Sequence, residues 1–254
     1  MKLEKKINYY TCKELGLEIV YSQNSTIYYP THNHTSIFTI GLITQGKLVL
    51  NKKNTSLEYH KNQSFYISPY IPHSIISKDN CSLINICIKT DILKNFPSEY
   101  ILDNIYFLLL KTNLKRNILN TFKTKINNYI KIFLKIDYNI NNVYINKLKI
   151  ELEQAPENKI SLEEMSRKTL SSKFHMIRNF KFLIGLTPHQ FQLQNKIRKA
   201  QKLIIENENI ADIALLVGFF DQSHFIRQFK KVVGINPTTY KDSYKNYTSI
   251  IKLE

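Results

Sequence analysis

Two pairs of basic side chains stand 49 residues apart in the same local setting: Arg178 with Lys181, and Arg227 with Lys230. Arginine can donate two parallel hydrogen bonds to the edge of guanine in a major groove, and lysine supplies a point charge for a phosphate. A spacing of three puts both members of a pair on one helix face. In the first copy that face also carries Phe174 and Ile177, preceded by Ser172 and Lys173. In the second it carries Ser223 and Ile226, preceded by Gln222. Apolar side chains there can touch a thymine methyl, and a helix N-terminus suits a phosphate. One such pair opposite an apolar stripe reads equally well as a solvated face. The same pair written twice at one offset favours a DNA-reading surface made of these eleven residues.

A second constellation lies near the other end. His32 and His34 alternate along an extended segment, and His73 closes a Pro-rich turn. Imidazoles are donors to Fe, Zn or Cu. Tyr28 and Tyr66 flank the same segments, and no acidic side chain accompanies the histidines there. Apolar walls with a few polar groups are the usual lining of a ligand pocket. The expected role of Tyr28, His32, His34, Tyr66 and His73 is therefore contact with a small organic effector, with no metal and no cofactor.

The basic pairs need helices to hold them. Residues 175–191 read HMIRNFKFLIGLTPHQF and residues 224–240 read HFIRQFKKVVGINPTTY, without a gap. Such self-similarity marks one supersecondary unit used twice. Met176, Phe180, Leu183 and Ile184 form a buried stripe in the first copy, as do Phe225, Phe229, Val232 and Val233 in the second. Gly185 and Gly234 supply the left-handed stop, and Thr187-Pro188 and Asn236-Pro237 start the next helix. Short amphipathic stretches precede each copy, at 162–168 and 210–217. Short helix, tight turn, longer helix is the helix-turn-helix pattern, with second helices at about 172–184 and 221–233. The stretch from Pro188 to Ile205 reads as one helix joining the two units, its Phe191, Ile197, Ala200, Leu203 and Ile204 facing both.

Residues of about 142–245 resemble the DNA-binding domain of the AraC/XylS family of bacterial transcription regulators. The likeness rests on ISLEEM (160–165), HMIRNFK, GLTP, KIRKAQKLI (196–204), IADIA, VGF (217–219), DQSHF, RQFK and GINPTTY. It implies two helix-turn-helix units on one long helix and a double-stranded promoter as partner. Two positions depart from the pattern: Thr169-Leu170 stands where an apolar residue and Gly are usual, and Lys196 where Arg is usual. Upstream, PTHNHTSIFTIGLITQG (30–46) and QSFYISPYIPH (63–73) resemble a cupin barrel, the usual sensor domain of such regulators. A metal-binding cupin usually adds a Glu three to five residues after the second His. This chain has Ile37, Phe38 and Thr39 there.

The rest of the chain fits that plan. Its 254 residues suffice for two domains, and its 43% hydrophobic content for two cores. The net charge of +16 permits an acidic partner, but it is not concentrated in one half. Residues 139–254 hold 18 basic against 11 acidic residues, and residues 1–138 hold 18 against 9. The N-terminal MKLEKKINYY lacks the apolar segment of a secretory signal. YFLLL (106–110) is too short to span a membrane. Cys12, Cys81 and Cys87 show neither metal nor disulfide spacing and read as buried thiols in a reducing cytoplasm.

Residues 17–92 hold six to eight short segments rich in Ile, Tyr, Phe, Thr and Val, the pattern of a β sandwich or barrel. Past Pro97, two runs have helical spacing: Ile101, Ile105, Leu108 and Leu109, then Phe122, Ile126, Tyr129, Ile130 and Phe133, with Lys115-Arg116 at the turn. The family resemblance makes this hairpin a dimer contact. The Asn-rich 139–146 reads as a linker into a helix carrying Val143, Ile145, Leu148 and Leu152, and Ser161 with Glu164 reads as a capping box.

The expected fold class is α+β multidomain. Residues 1–92 form a cupin-like sensor or dimerisation domain, 93–138 a helical hairpin and 139–254 a double helix-turn-helix domain. The expected function is sequence-specific DNA binding in transcription regulation, without enzyme activity. The protein is expected in the cytoplasm on the nucleoid, as a homodimer, with RNA polymerase as a further partner and no membrane. Two rivals stay open: a metal-dependent cupin enzyme, and a nucleoid protein that binds DNA without sequence preference.

Overall fold

The computed structural model describes residues 6–34, 36–52, 55–112, 114, 116–135, 142–206 and 209–246. They fall into two compact units, Met1–Asp137 with Ser243–Glu254, and Tyr138–Asp242. Of the predicted features, Lys115 and linker residues 139–141 lie outside the described residues.

The first unit is built on strands β1 (Lys6–Cys12), β2 (Leu17–Ser25), β3 (Tyr28–His32), β4 (Ile37–Gln45), β5 (Lys47–Lys52), β6 (Thr55–His60), β7 (Ser64–Ile67), β8 (His73–Ile76), β9 (Cys81–Lys89) and β10 (Tyr244–Asn246). They form a six-stranded sheet, β10-β1-β2-β9-β4-β7, and a four-stranded sheet, β3-β8-β5-β6. Side chains alternate across a strand, so each central strand serves two cores. From β4, Ile43 joins Phe65, Ile67, Leu83, Leu48, Leu50 and Ile75 in the core between the sheets. Gly41 leaves room on that side for the Phe65 ring, which lies where a Cβ would be. Phe38 points the other way, onto Phe133 at 5.0 Å.

That second core is closed by α1 (Thr90–Asn95), α2 (Ser98–Leu110) and α3 (Arg116–Leu134). Both predicted helical stripes are buried: Ile101, Ile105, Leu108 and Leu109 on α2, and Phe122, Ile126, Ile130 and Phe133 on α3. Tyr129 is half-buried, and its hydroxyl bonds Ser64 on β7 at 3.0 Å. The β region starts earlier than expected, at Lys6 rather than residue 17. Tyr9 and Tyr10 of β1 are buried, and the strand is sandwiched between β2 and the distant β10. Cys12 and Cys81 are buried, Cys87 is half-buried, and none of the three forms a disulfide among the described residues.

The second unit consists of α4 (Val143–Gln154), α5 (Leu162–Lys168), α6 (Lys173–Ile184), α7 (Pro188–Ile205), α8 (Ile210–Leu216), α9 (Gln222–Val233) and α10 (Pro237–Ser243). Side-chain oxygens of Asn142, Ser161, Ser172, Thr187, Asn209 and Asp221 each accept from a free backbone N–H of the helix they start. Gly185 (φ 87°) and Gly234 (φ 92°) end α6 and α9 in the left-handed conformation. α7 packs against α4, α6, α8 and α9. Phe191 at its start meets Phe180 at 5.5 Å, and Tyr240 of α10 meets Phe229 at 5.6 Å, so the sequence repeat is also a packing repeat. On α7, Phe191, Ile197, Ala200 and Ile204 are buried and Leu203 is half-buried.

Two local expectations need correction. Val143 is 64% exposed, because α4 turns Ile145, Leu148 and Leu152 inward and leaves its first residue outside that stripe. Ser161 caps Glu164 N–H, but the Glu164 carboxylate reaches forward to Lys168 at 3.7 Å rather than back to the cap. The reciprocal box is instead made by Thr187 and Gln190 at the start of α7.

Candidate nucleic-acid interface and histidine cluster

α6 and α9 present the same surface. Met176, Phe180 and Ile184 are buried on one, and Phe225, Phe229 and Val233 on the other. The opposite faces hold Arg178 and Lys181, and Arg227 and Lys230, all exposed. Ile177 and Ile226 are half-buried at the margin of the core, while Phe174 is 77% exposed and Gln222 and Ser223 are exposed. Among the described residues no carboxylate pairs with Arg178, Lys181, Arg227 or Lys230. These four basic side chains are open to an outside anion.

Two of the expected contact residues have duties inside the fold. Ser172 is the N-cap of α6, its hydroxyl accepting from His175 N–H at 3.3 Å. Lys173 is paired with Glu163 on α5. The side chain of His175 bonds Asn179, as His224 bonds Gln228, repeating a one-turn contact on both helices.

The turns between paired helices differ in length by one residue but share a backbone feature. Gly218 follows α8 with φ 78°, and Leu170 follows α5 with φ 50°. Leu170 therefore keeps the left-handed turn without a glycine, at a steric cost, and is 73% exposed. Gly218 is not replaceable in that way: a Cβ there would lie 2.6 Å from the Glu157 carbonyl oxygen. Lys196, on α7, donates from its ammonium to the Gly218 carbonyl at 2.8 Å. Lys199, one turn on, pairs with Glu157 at 2.6 Å. Contacts with Lys199 and the charge of Lys196 outweigh desolvation and hold the Glu157 carboxyl below the usual range. α7 thus fastens both the Pro156–Asn158 turn and the second helix-turn-helix.

In the first unit, the three histidines converge. His32 pairs in register with His73 across β3 and β8. His34 sits two residues on, and its Nδ1 lies 2.6 Å from the Thr39 hydroxyl on β4. Ring centroids are 4.3 Å apart for His32 and His73, 5.1 Å for His32 and His34, and 5.0 Å for His34 and His73. Burial, then the neighbouring His32, pushes His73 down to about 3, so its ring is neutral. Neither tyrosine of the expected set joins them. Tyr28 is 67% exposed. The Tyr66 ring lies on the helix side of its sheet, 5.8 Å from Phe38 and 5.2 Å from Tyr129. Alternation explains this: Phe65 and Ile67 fill the core between the sheets, so Tyr66 must face away. The Tyr29 ring lies 6.3 Å from that of His32.

A family profile described as a helix-turn-helix domain matches residues 165–243, from α5 through α10. The chain carries an AraC-type helix-turn-helix domain. Over 83% of its length it is 27% identical to the probable transcriptional regulator LumQ of Photobacterium leiognathi, covering 92% of that protein. It is 23% identical over 87% of its length to the HTH-type transcriptional regulator YdeC of Bacillus subtilis (strain 168), covering 88%. In fold it is like wild-type ToxT from Vibrio cholerae strain SCE256, a structure with bound unsaturated fatty acid. The TM-score is 0.59 at 13–14% identity, with 94% of this chain and 96% of ToxT covered in that comparison and a second ToxT structure agreeing.

Within the AraC-type domain, residue reading missed Asp221, Lys196 and Lys199 as the groups that cap α9 and hold α7 to the second turn. The signal for Asp221 was present, since it precedes the helix at the place Ser172 holds in the first copy. Thr39 and Tyr29 beside the histidines were also missed, although both are near neighbours of the histidines in sequence.

Proposed function

We propose that this DNA-binding transcription regulator reads a single operator with two helices at once. α6 and α9 enter adjacent major grooves, one DNA turn apart. Arg178 and Arg227 read base edges, Lys181 and Lys230 hold phosphates, and Ile177 and Ile226 lie against the groove floor. Phe174, Gln222 and Ser223 contact DNA from the helix starts, while Ser172 and Lys173 offer the phosphate-facing end of α6. One observation carries this reading: the same exposed Arg–Lys pair stands on two capped helices whose other faces are buried alike. A solvated surface has no reason to repeat that arrangement.

Residues 1–92 act as the sensor and 93–138 as the dimer contact of a homodimer in the cytoplasm, on the nucleoid, with RNA polymerase as the protein met at the promoter. The fold shared with ToxT, which was crystallised with a fatty acid, supports a small-molecule effector in the first unit. The histidines mark the sensing site. Regulation, not catalysis, is the activity. A sensor ligand must bind one state of the protein more tightly than the other, since equal affinity shifts nothing.

The test is selection of bound sequences from a random DNA pool, followed by footprinting upstream of the gene and competition with random DNA. An enriched motif protected over two adjacent grooves and resistant to competitor is expected. If random DNA displaces it equally well, sequence-specific regulation is wrong and non-specific nucleoid binding is right.

A further inference from the structure

We propose that His32, His34 and His73 bind a divalent transition-metal ion through their three Nε2 atoms. The hydrogen bonds of the rings point to this. His32 Nδ1 lies 2.7 Å from the Pro30 carbonyl oxygen, and His73 Nδ1 lies 2.9 Å from that of Ile71. A carbonyl oxygen only accepts, so both rings carry their proton on Nδ1. His34 Nδ1 lies 2.6 Å from the Thr39 hydroxyl, which anchors that nitrogen whichever of the two donates. The His32 and His73 rings therefore direct Nε2 at the space they share with His34. His32 Nε2 and His34 Nε2 stand 3.2 Å apart, within reach of one shared proton or one shared cation. The buried His73 Nε2 has no hydrogen-bond partner among the described residues.

A cation resolves that arrangement. Metal–imidazole bonds of about 2.0–2.1 Å place neighbouring ligand nitrogens about 3–3.4 Å apart, the spacing already present between His32 and His34. The three donor atoms all lie within 4.8 Å of one another, so a small rotation of His73 completes the set. Each Nδ1–H bonded to an oxygen is the outer contact that fixes a ligating histidine and raises its basicity. Thr39 stands where the resembled cupins carry a carboxylate, and here it orients His34 instead. The set is therefore three neutral nitrogens with no carboxylate. That selects ions such as Zn2+, Co2+, Ni2+ or Cu2+ over Mg2+ or Ca2+. It also leaves at least one coordination position for an outside donor.

This names the ligand class of the sensing site and rests on that reading only for its consequence, not for the binding itself. The test is titration of chelator-treated full-length protein with Co2+, followed by optical absorption, and with Zn2+ followed by elemental analysis. One equivalent per chain and a Co2+ d–d band are expected, both lost in His32→Gln and His34→Gln with unchanged circular dichroism. His32 and His34 are half-buried, so these variants do not empty the core as a change at His73 would. Absence of a stoichiometric band in the wild type, or its persistence in both variants, overturns the proposal. DNA affinity with and without Zn2+ separates the two readings. A bound metal that leaves it unchanged supports the site and rejects metal as the sensed signal.

Discussion

Lys196 on α7 hydrogen-bonds the carbonyl of Gly218 at 2.8 Å, joining the long helix to the turn of the second helix-turn-helix. The ammonium also stands 5.6 Å from the Phe219 ring centroid. It is partly withdrawn from water, which lowers its pKa, so the bond replaces lost hydration. Lys196→Met keeps the stem but removes the donor. It should lower the stability of the helical unit by about 1–2 kcal/mol, read as a shift in its thermal transition. A variant melting with the wild type would show that the bond contributes nothing net.

Leu170 carries a positive φ that glycine would adopt without strain, and its side chain is largely in water. Leu170→Gly should therefore be neutral or stabilising by up to about 1 kcal/mol, the relief of left-handed strain offsetting the added freedom of the unfolded chain. Gly218→Ala should do the opposite and cost more than about 1 kcal/mol, since the new Cβ has the Glu157 carbonyl in its way. Urea midpoints of the two variants would order them. A destabilised Leu170→Gly protein would mean the leucine packs against something in solution.

Arg178→Ala and Arg227→Ala should each weaken a selected operator by about 1–3 kcal/mol and relax preference at one or two base pairs. Lys181→Ala and Lys230→Ala should weaken all DNA alike and reduce the slope of log affinity against log salt by about one. Binding of both arginine variants at wild-type strength would misplace the reading face.

Burial pushes the Glu18 carboxyl of β2 up to about 7 from an ordinary 4.5. The folded chain thus holds a proton that the unfolded chain releases in this window. Stability contributed by this group is fully present below pH 4.5 and is lost as the pH rises through 7. Glu18→Gln should flatten the fall in melting temperature between about pH 5 and 8. An identical pH profile in wild type and variant would place the carboxyl in water.

Much of the helical unit was legible because its determinants are local. Thr187, Gly185 and Gly234 act within one turn of the residues they cap, and the stripes through Phe180 and Phe229 repeat every helical turn. The β unit was legible in kind but not in arrangement. Tyr66 looked like a neighbour of His73, yet alternation along β7 sends it to the opposite face. Conversely, His32 meets His73 through sheet pairing, and His34 meets Thr39 as the chain passes from β3 into β4, and neither contact follows a helical or strand period. Strand β1 was missed for the same reason, since one of its partners, Tyr244 beside Tyr9, enters from the far end of the chain.

That late partner has a topological consequence. Because β10 lies parallel to β1, the chain leaves the β unit after α3 and re-enters the same sheet after α10. In chain order the helical unit is thus an insertion between two parts of the β unit. Severing the chain after Ser243 would remove β10 and leave β1, paired with β2 alone, as a bare edge with unpaired amides and carbonyls. Such a truncated protein should clump through its β unit even while α6 and α9 remain whole.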